Sequence, residues 1–436
     1  MTMTQQDPRR RTQARRAKKT KNRRRRRSPF PVLALIAAVL AVAAGAVFFF
    51  ATRGGGEPTE PVQAESGPVQ TQPRQTEPEE PKSGTTVIHV AAAGDLNVTD
   101  YVLENAAHEN GYDFSQTFLD VAPIFSGADL ALLNFEGNLS GGEYGYATGA
   151  APLELPKALK AMGVDAVQTA NSAAIRQGVS GLVATLDAFE RVGLTTLGTF
   201  ADTDDFRRSG GYEIVEVEGI RIALIAFTKG MDNLGLPAGS ENCVNLLYED
   251  YSTDYKKVNT DGIARILRNV AEEQPDLTIA MVHWGSEYND EHPSTMKKIR
   301  NQLLDGGVDV ILGTHPHMVQ EIEYDSVKKT LVAWSLGDFF GDAVMAGTNY
   351  SIIVDLEITK DHASGEVFLS GYEYIPIFTL KPEESASGGH RVVRIREAME
   401  RYEENYVGRI TEEAYGDMEY ALKRIEARVN PPKENK

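Results

Sequence analysis

Cysteine is nearly absent from this 436-residue chain. Cys243 stands alone, so no intrachain disulfide can form and stability must come from a large core. Ionisable side chains are missing from residues 29–52, and large apolar ones are nearly missing from residues 53–85. Positive charge is concentrated at the start. Residues 1–28 hold thirteen Lys/Arg and one acid, Asp7, about +12; the whole chain carries −17, so the rest carries −17 − 12 = −29. A body this acidic argues against nucleic acid as its partner, and a polyanionic substrate would need a local cationic patch or a metal. No internal repeat is visible.

These shifts divide the chain into a basic cytoplasmic tail (residues 1–28), a transmembrane helix (29–52), a disordered linker (53–85) and a folded body. Residues 30–51, FPVLALIAAVLAVAAGAVFFFA, meet the roughly 20 apolar residues that a bilayer requires. The basic run 23–27 before them keeps the N-terminus in the cytoplasm and puts the body outside the cell membrane. A cleaved signal peptide is the nearest rival, but the apolar run is long and Ala44-Gly45-Ala46 lies inside it. The tail contacts anionic lipid headgroups more simply than nucleic acid. The linker is rich in Gly, Pro, Glu, Gln, Thr and Ser.

The body is organised around residues 281–323. Apolar runs at 276–282 and 308–312 read as buried parallel strands, and 294–305 between them has helical spacing. His283 follows the first run, and His315 and His317 follow the second. Ligands of open α/β sheets gather at that strand edge. One histidine there is as often a satisfied core or surface residue. Three in one βαβ unit shift the weight to a metal or phosphate site.

Strands are expected at 87–93, 129–133, 165–169 and 195–199, and hairpins at 212–217/220–227 and 319–324/330–335. Antiparallel strands are expected at 350–358 and 365–375. Helices are expected at 101–107, around 114–125, and at 156–162, 179–192, 261–273, 392–402 and 411–428. His89 is expected to pack inside its strand, and His390 to lie on the surface. Asp95, Glu136, Asn171, His283, His315, His317 and Asp338 each follow an expected strand. Carboxylate, amide and imidazole on successive loops can build a site for one or two metals. The first six are the candidate metal ligands.

At these residues the chain resembles the CapA family of capsule synthesis, poly-gamma-glutamate biosynthesis proteins with a calcineurin-like metallophosphoesterase fold. The resemblance runs from about Val87 to about Ile375. It rests on His283-Trp284-Gly285 with Glu287-Tyr288, on Gly313 through His317, on Ser335-Leu336-Gly337, on the Gly-Asp at Asp95, and on Asn134-Phe135-Glu136. It implies an α/β fold of two packed sheets flanked by helices, an αββα sandwich over 86–380, followed by a helical extension over 381–436. It also implies a divalent metal (Mn, Zn, Fe or Mg) and a role in making, exporting or anchoring an anionic capsule polymer, alongside other capsule-synthesis membrane proteins.

One departure bears on catalysis. Where the family has Asn-Asn-His-x-x-Asp-x-Gly, this chain reads Asn171-Ser172-Ala173-Ala174-Ile175-Arg176-Gln177-Gly178. Alanine cannot replace an acid–base histidine, whose loss costs about 10²–10⁴-fold in rate. His108 or His292 is then the candidate proton donor, and Arg176 a cation for a carboxylate or phosphate. Asn171, Arg176 and His283 are the residues expected to act on substrate. The alternatives are a non-catalytic polymer-binding module on the same fold and a cell-envelope phosphoesterase.

Overall fold

The computed structural model describes residues 84–289, 291–405 and 408–431. The basic tail, the apolar run and nearly all of the linker lie outside the described residues. Among the described residues no helix is long and apolar enough to cross a membrane.

In chain order the strands are β1 (Thr85–Asn97), β2 (Ala107–His108), β3 (Gly111–Tyr112), β4 (Leu130–Glu136), β5 (Ala166–Gln168), β6 (Thr195–Leu197), β7 (Glu213–Val217) and β8 (Ile220–Thr228). They continue with β9 (Leu277–His283), β10 (Val310–Thr314), β11 (Ile322–Asp325), β12 (Thr330–Ala333), β13 (Asp338–Phe340), β14 (Tyr350–Asp361), β15 (Val367–Leu380) and β16 (Arg391–Arg394). One sheet has the order β16-β15-β14-β1-β4-β5-β6, with β13 added against the end of β1. The other has the order β11-β12-β10-β9-β8-β7. The β1-β4-β5-β6 and β8-β9-β10-β12 runs are parallel, and the flanking strands are antiparallel.

The apolar runs are continuous because the central strands are covered on both faces. Ile88, Val90 and Ala92 of β1 enter the core shared by the two sheets, while Ala91 and Ala93 meet the outer helices. In β9, Ile279 and Met281 face the other sheet. Ala280 and Val282 pack with Ile263 and Ile266 of helix Thr260–Glu273 and with Met296 and Ile299 of helix Ser294–Asp305. Helices thus cover the outside of both sheets, as the sequence leads one to expect.

Several local expectations are corrected. Residues 392–402 are not one helix: β16 comes first, then helix Ile395–Glu400. Val392 and Val393 fall in cores on opposite faces of the sheet, the period-2 signature of a strand. The stretch after 380 is therefore not an appendage. It adds an edge strand, and helix Glu412–Val429 buries Ala414, Met418, Ala421, Ile425 and Val429 in the core between the sheets. Helix Ala122–Gly127 does not extend back to 114, and Pro123 in its first turn is the reason. Proline lacks an N–H and its ring clashes with the carbonyl four residues earlier. Helix Thr203–Ser209 was not anticipated; Asp202 caps it by accepting from Asp205 N at 2.8 Å. His89 is half-exposed against Asp355 at 3.1 Å rather than packed. His390 is buried between Tyr101 and Phe340 rather than on the surface.

If the C-terminal helix is core, Ile425→Ala should destabilise the protein by about 2–5 kcal/mol, the usual loss for a large-to-small core change. The shift in urea midpoint measures it; a change of a few tenths would return that helix to a peripheral role.

Candidate metal centre

Register brings the strand ends to one edge. Thr228, His283 and Thr314 are neighbours across β8, β9 and β10. Asp95 lies beside Asn134 of β4 and Asp338 of β13. The β13 contact needs a bare backbone: a Cβ on Gly94 would overlap the Gly337 carbonyl oxygen. With glycine there, Asp95 N donates to Gly337 O at 3.0 Å.

Five of the six candidate ligands group together. Glu136, His283 and His315 form one potential ligand trio, and Asp95 and His317 form another with Asp338. Glu287 joins His315 and His317 in a third. Asn171, the sixth candidate, adjoins them through Asn134. Its amide donates to Asn134 Oδ1 (2.9 Å) and Phe135 O (2.7 Å), and its Oδ1 accepts from Ala173 N (3.1 Å). All its polar atoms are engaged in holding strand ends together.

Asn134, which opens the Asn134-Phe135-Glu136 segment, connects the acids. It donates to Asp95 Oδ1 at 2.6 Å and Glu136 Oε1 at 3.1 Å. Asp95 also accepts from His315 N at 3.0 Å. His315 and His317 have φ of 90° and 58°, left-handed values that cost non-glycine residues roughly 1–3 kcal/mol each. That strain turns both rings of the His-Pro-His segment to the same edge.

The tautomer of His283 follows from its neighbours. Thr228 Oγ1 donates to Gly230 O (2.9 Å), so toward His283 Nδ1 (3.1 Å) it can only accept. Nδ1 therefore carries the ring proton. Nε2 faces Glu136 Oε1 at 2.9 Å. Two lone pairs at that distance call for a proton or a metal cation between them. His317 Nδ1 donates to Asp338 Oδ1 at 2.7 Å, leaving Nε2 for a ligand. His315 Nδ1 is buried with no partner.

The charges point the same way. Burial, then the charge of Glu136, pushes the Asp95 carboxyl well above its usual range. Burial also raises Asp338, against the pull of His317. Burial would raise Glu136 too, but His283, helped by His317 and Arg176, holds it down to about 2. Burial, then His283, drives His315 well below its ordinary value. For His317, burial is outweighed by Asp338 and Asp95, which lift it well above. Three buried carboxylates and a neutral, partner-poor imidazole fit a divalent cation.

Above the acids lies a cavity of about 130 Å³ lined by Glu136, Arg176, Tyr288, His317 and Asp338, among others. Arg176 reaches it with Nη2 on Asp232 at 2.7 Å and Nη1 on the Tyr146 carbonyl at 3.3 Å. Tyr146 comes from the Gly- and Tyr-rich stretch 140–151, between β4 and helix Glu154–Met162. Ala173 is in the lining, so only a methyl group stands at the family's histidine position. Neither His108 nor His292 lines this cavity. His292 stacks on Trp334, with ring centroids 4.2 Å apart. Thr228 and Lys229 were missed because β8 ends in Phe-Thr-Lys-Gly, with no acid or imidazole to mark it.

Thr228→Val keeps the shape and removes the acceptor that fixes His283. Divalent-metal affinity should fall about 10–100-fold, the usual loss when a group orienting a ligand is removed. Competition against a metallochromic indicator reads this; unchanged affinity would free Thr228 of the role.

Known proteins add the family. The model of the bacterial capsule synthesis protein family PGA_cap matches residues 89–343, a span that includes every residue of the centre from Asp95 to Asp338. The PGA biosynthesis protein CapA of Bacillus subtilis (strain 168) is 28% identical over 281 residues, 63% of this chain and 69% of that protein. The capsule biosynthesis protein CapA of Bacillus anthracis is 25% identical over 275 residues, 61% of this chain and 62% of that protein, so the match leaves more than a third of that relative unspanned. Among solved structures, a novel phosphatase from Mycoplasma pneumoniae aligns with a TM-score of 0.42 and 17% identity, over 68% of this chain and 95% of that one. A 5'-nucleotidase precursor from Thermus thermophilus aligns at 0.40 and 10%, over 78% and 58%. TM-scores this low carry no argument about chemistry. The family match does carry one conclusion: this chain belongs to the bacterial capsule synthesis protein family PGA_cap.

Proposed function

We propose that this is a membrane-anchored capsule-synthesis protein whose extracytoplasmic body uses a metallophosphoesterase-like metal centre on an anionic polymer, polyglutamate or a related chain, or on its precursor. The observation that supports it most is the opposed pair His283 Nε2 and Glu136 Oε1, in a cluster with Asp95, His315, His317 and Asp338. Those six residues would hold the ion. Mixed imidazole and carboxylate donors favour Zn, Mn or Fe over Mg. A bound divalent ion there supplies Lewis-acid polarisation of a carbonyl or phosphoryl oxygen.

The chain's own residues do the rest. Arg176 is a planar, permanently charged donor at the cavity wall, suited to orient a carboxylate or phosphate in two-point contact. Asn171 and Asn134 hold the strand ends in place. The methyl of Ala173 offers no proton, which favours a second reading: a polymer-binding module that does not turn its ligand over. A cell-envelope phosphoesterase is the third. The apolar run supports the anchor, and company among other capsule-synthesis membrane proteins is part of the same proposal.

The test uses full-length protein purified in detergent without chelators, beside a His283→Ala/His315→Ala variant. About one or two metal ions per chain, lost in the variant, are expected. Turnover of polyglutamate abolished by His283→Ala supports the enzyme, and binding without turnover supports the module. Hydrolysis of simple phosphate esters supports the phosphoesterase. A folded wild type without metal overturns the metal centre.

A further inference from the structure

Among the described residues, Lys229 is a cation beside the centre that neither the motifs nor the proposed chemistry uses. It follows Thr228 at the end of β8 and is partly buried. Its ammonium donates to the Gly285 carbonyl at 2.9 Å and to His315 Nε2 at 3.2 Å, and it lies 4.7 Å from the centre of the Tyr255 ring. An ammonium has three donors, and these contacts use two. Among the described residues no carboxylate pairs with it at ion-pair distance, although Asp232 and Glu287 lie near enough to act on its charge.

The third donor has somewhere to go. Lys229 lines a second cavity of about 210 Å³, together with Ser172, Asp232, Tyr255, Ser286 and Glu287. Ser172, Asp232 and Glu287 also line the Arg176 cavity, so the two cavities share a wall. Each has one Lys or Arg in its lining. The Arg176 guanidinium is already met by a carboxylate, Asp232, whose side chain is about half exposed. Arg176 is mostly buried, but the pair is open to water on the Asp232 side, where an arriving anion can compete for the guanidinium. Asp232 thus marks the place of an acidic group at Arg176; beside Lys229, Asp232 and Glu287 line the cavity, but among the described residues neither stands at ion-pair distance from the ammonium.

We propose that Lys229 and its cavity form a second anion subsite beside Arg176, so that the cleft takes two neighbouring acidic groups of one chain. This rests on the polymer reading above and narrows it. The ligand is a repeating polyanion read two units at a time, with carboxylate or phosphate as the acidic group. Two weak contacts on one chain then reinforce each other, because the second forms at high effective concentration.

The test is calorimetric titration of the full-length protein in detergent with glutamate, γ-linked diglutamate and γ-linked triglutamate. Inorganic phosphate, pyrophosphate and tripolyphosphate form the phosphate arm. In the arm that matches the ligand, the trimer is expected to bind at least about 10-fold tighter than the monomer. Lys229→Gln should erase that gain, read as the trimer-to-monomer affinity ratio within each variant, and Lys229→Arg should restore it. Arg176→Gln should weaken every member of the arm. On the wild type alone, the trimer's affinity should fall more steeply with salt than the monomer's, which keeps the test intact should Lys229→Gln not fold. A length dependence that survives Lys229→Gln, or equal salt slopes, overturns the subsite and leaves the polymer reading standing. No binding of any probe to the wild type overturns both.

Discussion

Like charges buried together set the terms for this molecule. Asp95, Glu136 and Asp338 share one pocket, and Asp95 and Asp338 are almost wholly shut off from water. Carboxylates in that position are costly unless cations or hydrogen-bond donors meet them. The neighbouring structure supplies both. Asn134 donates to two of the acids, the backbone of His315 to one, and His317 and Asn97 to the third. The left-handed turns at His315 and His317 and the glycine at position 94 are local concessions to that arrangement.

The two sheets divide the labour. The β1 sheet brings the acids and amides, and the β9 sheet brings the imidazoles. Neither is a complete site. The packing of one sheet on the other, closed by the C-terminal helix, therefore does more than bury apolar surface: it sets the distance between His283 and Glu136. Thr228 and Lys229 sit at the end of a third parallel strand and each touch one histidine, so a dipeptide adjusts both rings.

Much of this was legible in the chain. Apolar runs ending in Asp, Glu or His name both the strands and the edge where ligands collect, and five of the six candidate ligands do gather there. What escaped the sequence has physical causes. Val392 and Val393 sit between arginines and read as a helix face, because period 2 over two residues cannot be told from period 3.6. His390 looked peripheral because its burial depends on Tyr101 and Phe340, both distant in sequence. The orientation of the Asn171 amide is set by neighbours such as Asn134, which sequence alone does not place beside it. Lys229 carried no motif, and its meaning comes from sharing a wall with Arg176.

Ala173 and Arg176 give the cleft wall a methyl group and a guanidinium, the basis of the proposed anion recognition, beside the cluster proposed to hold a cation. The claim beneath everything else is that cluster's affinity for a divalent ion. Its most direct measurement is the melting temperature of the full-length protein with and without Mn(II) or Zn(II), for the wild type and for Glu136→Gln. An ion at a hundred times its Kd stabilises by about 2.7 kcal/mol, so a rise of several degrees is expected in the wild type and little or none in the variant. No rise in the wild type with either ion would contradict a metal centre at these residues.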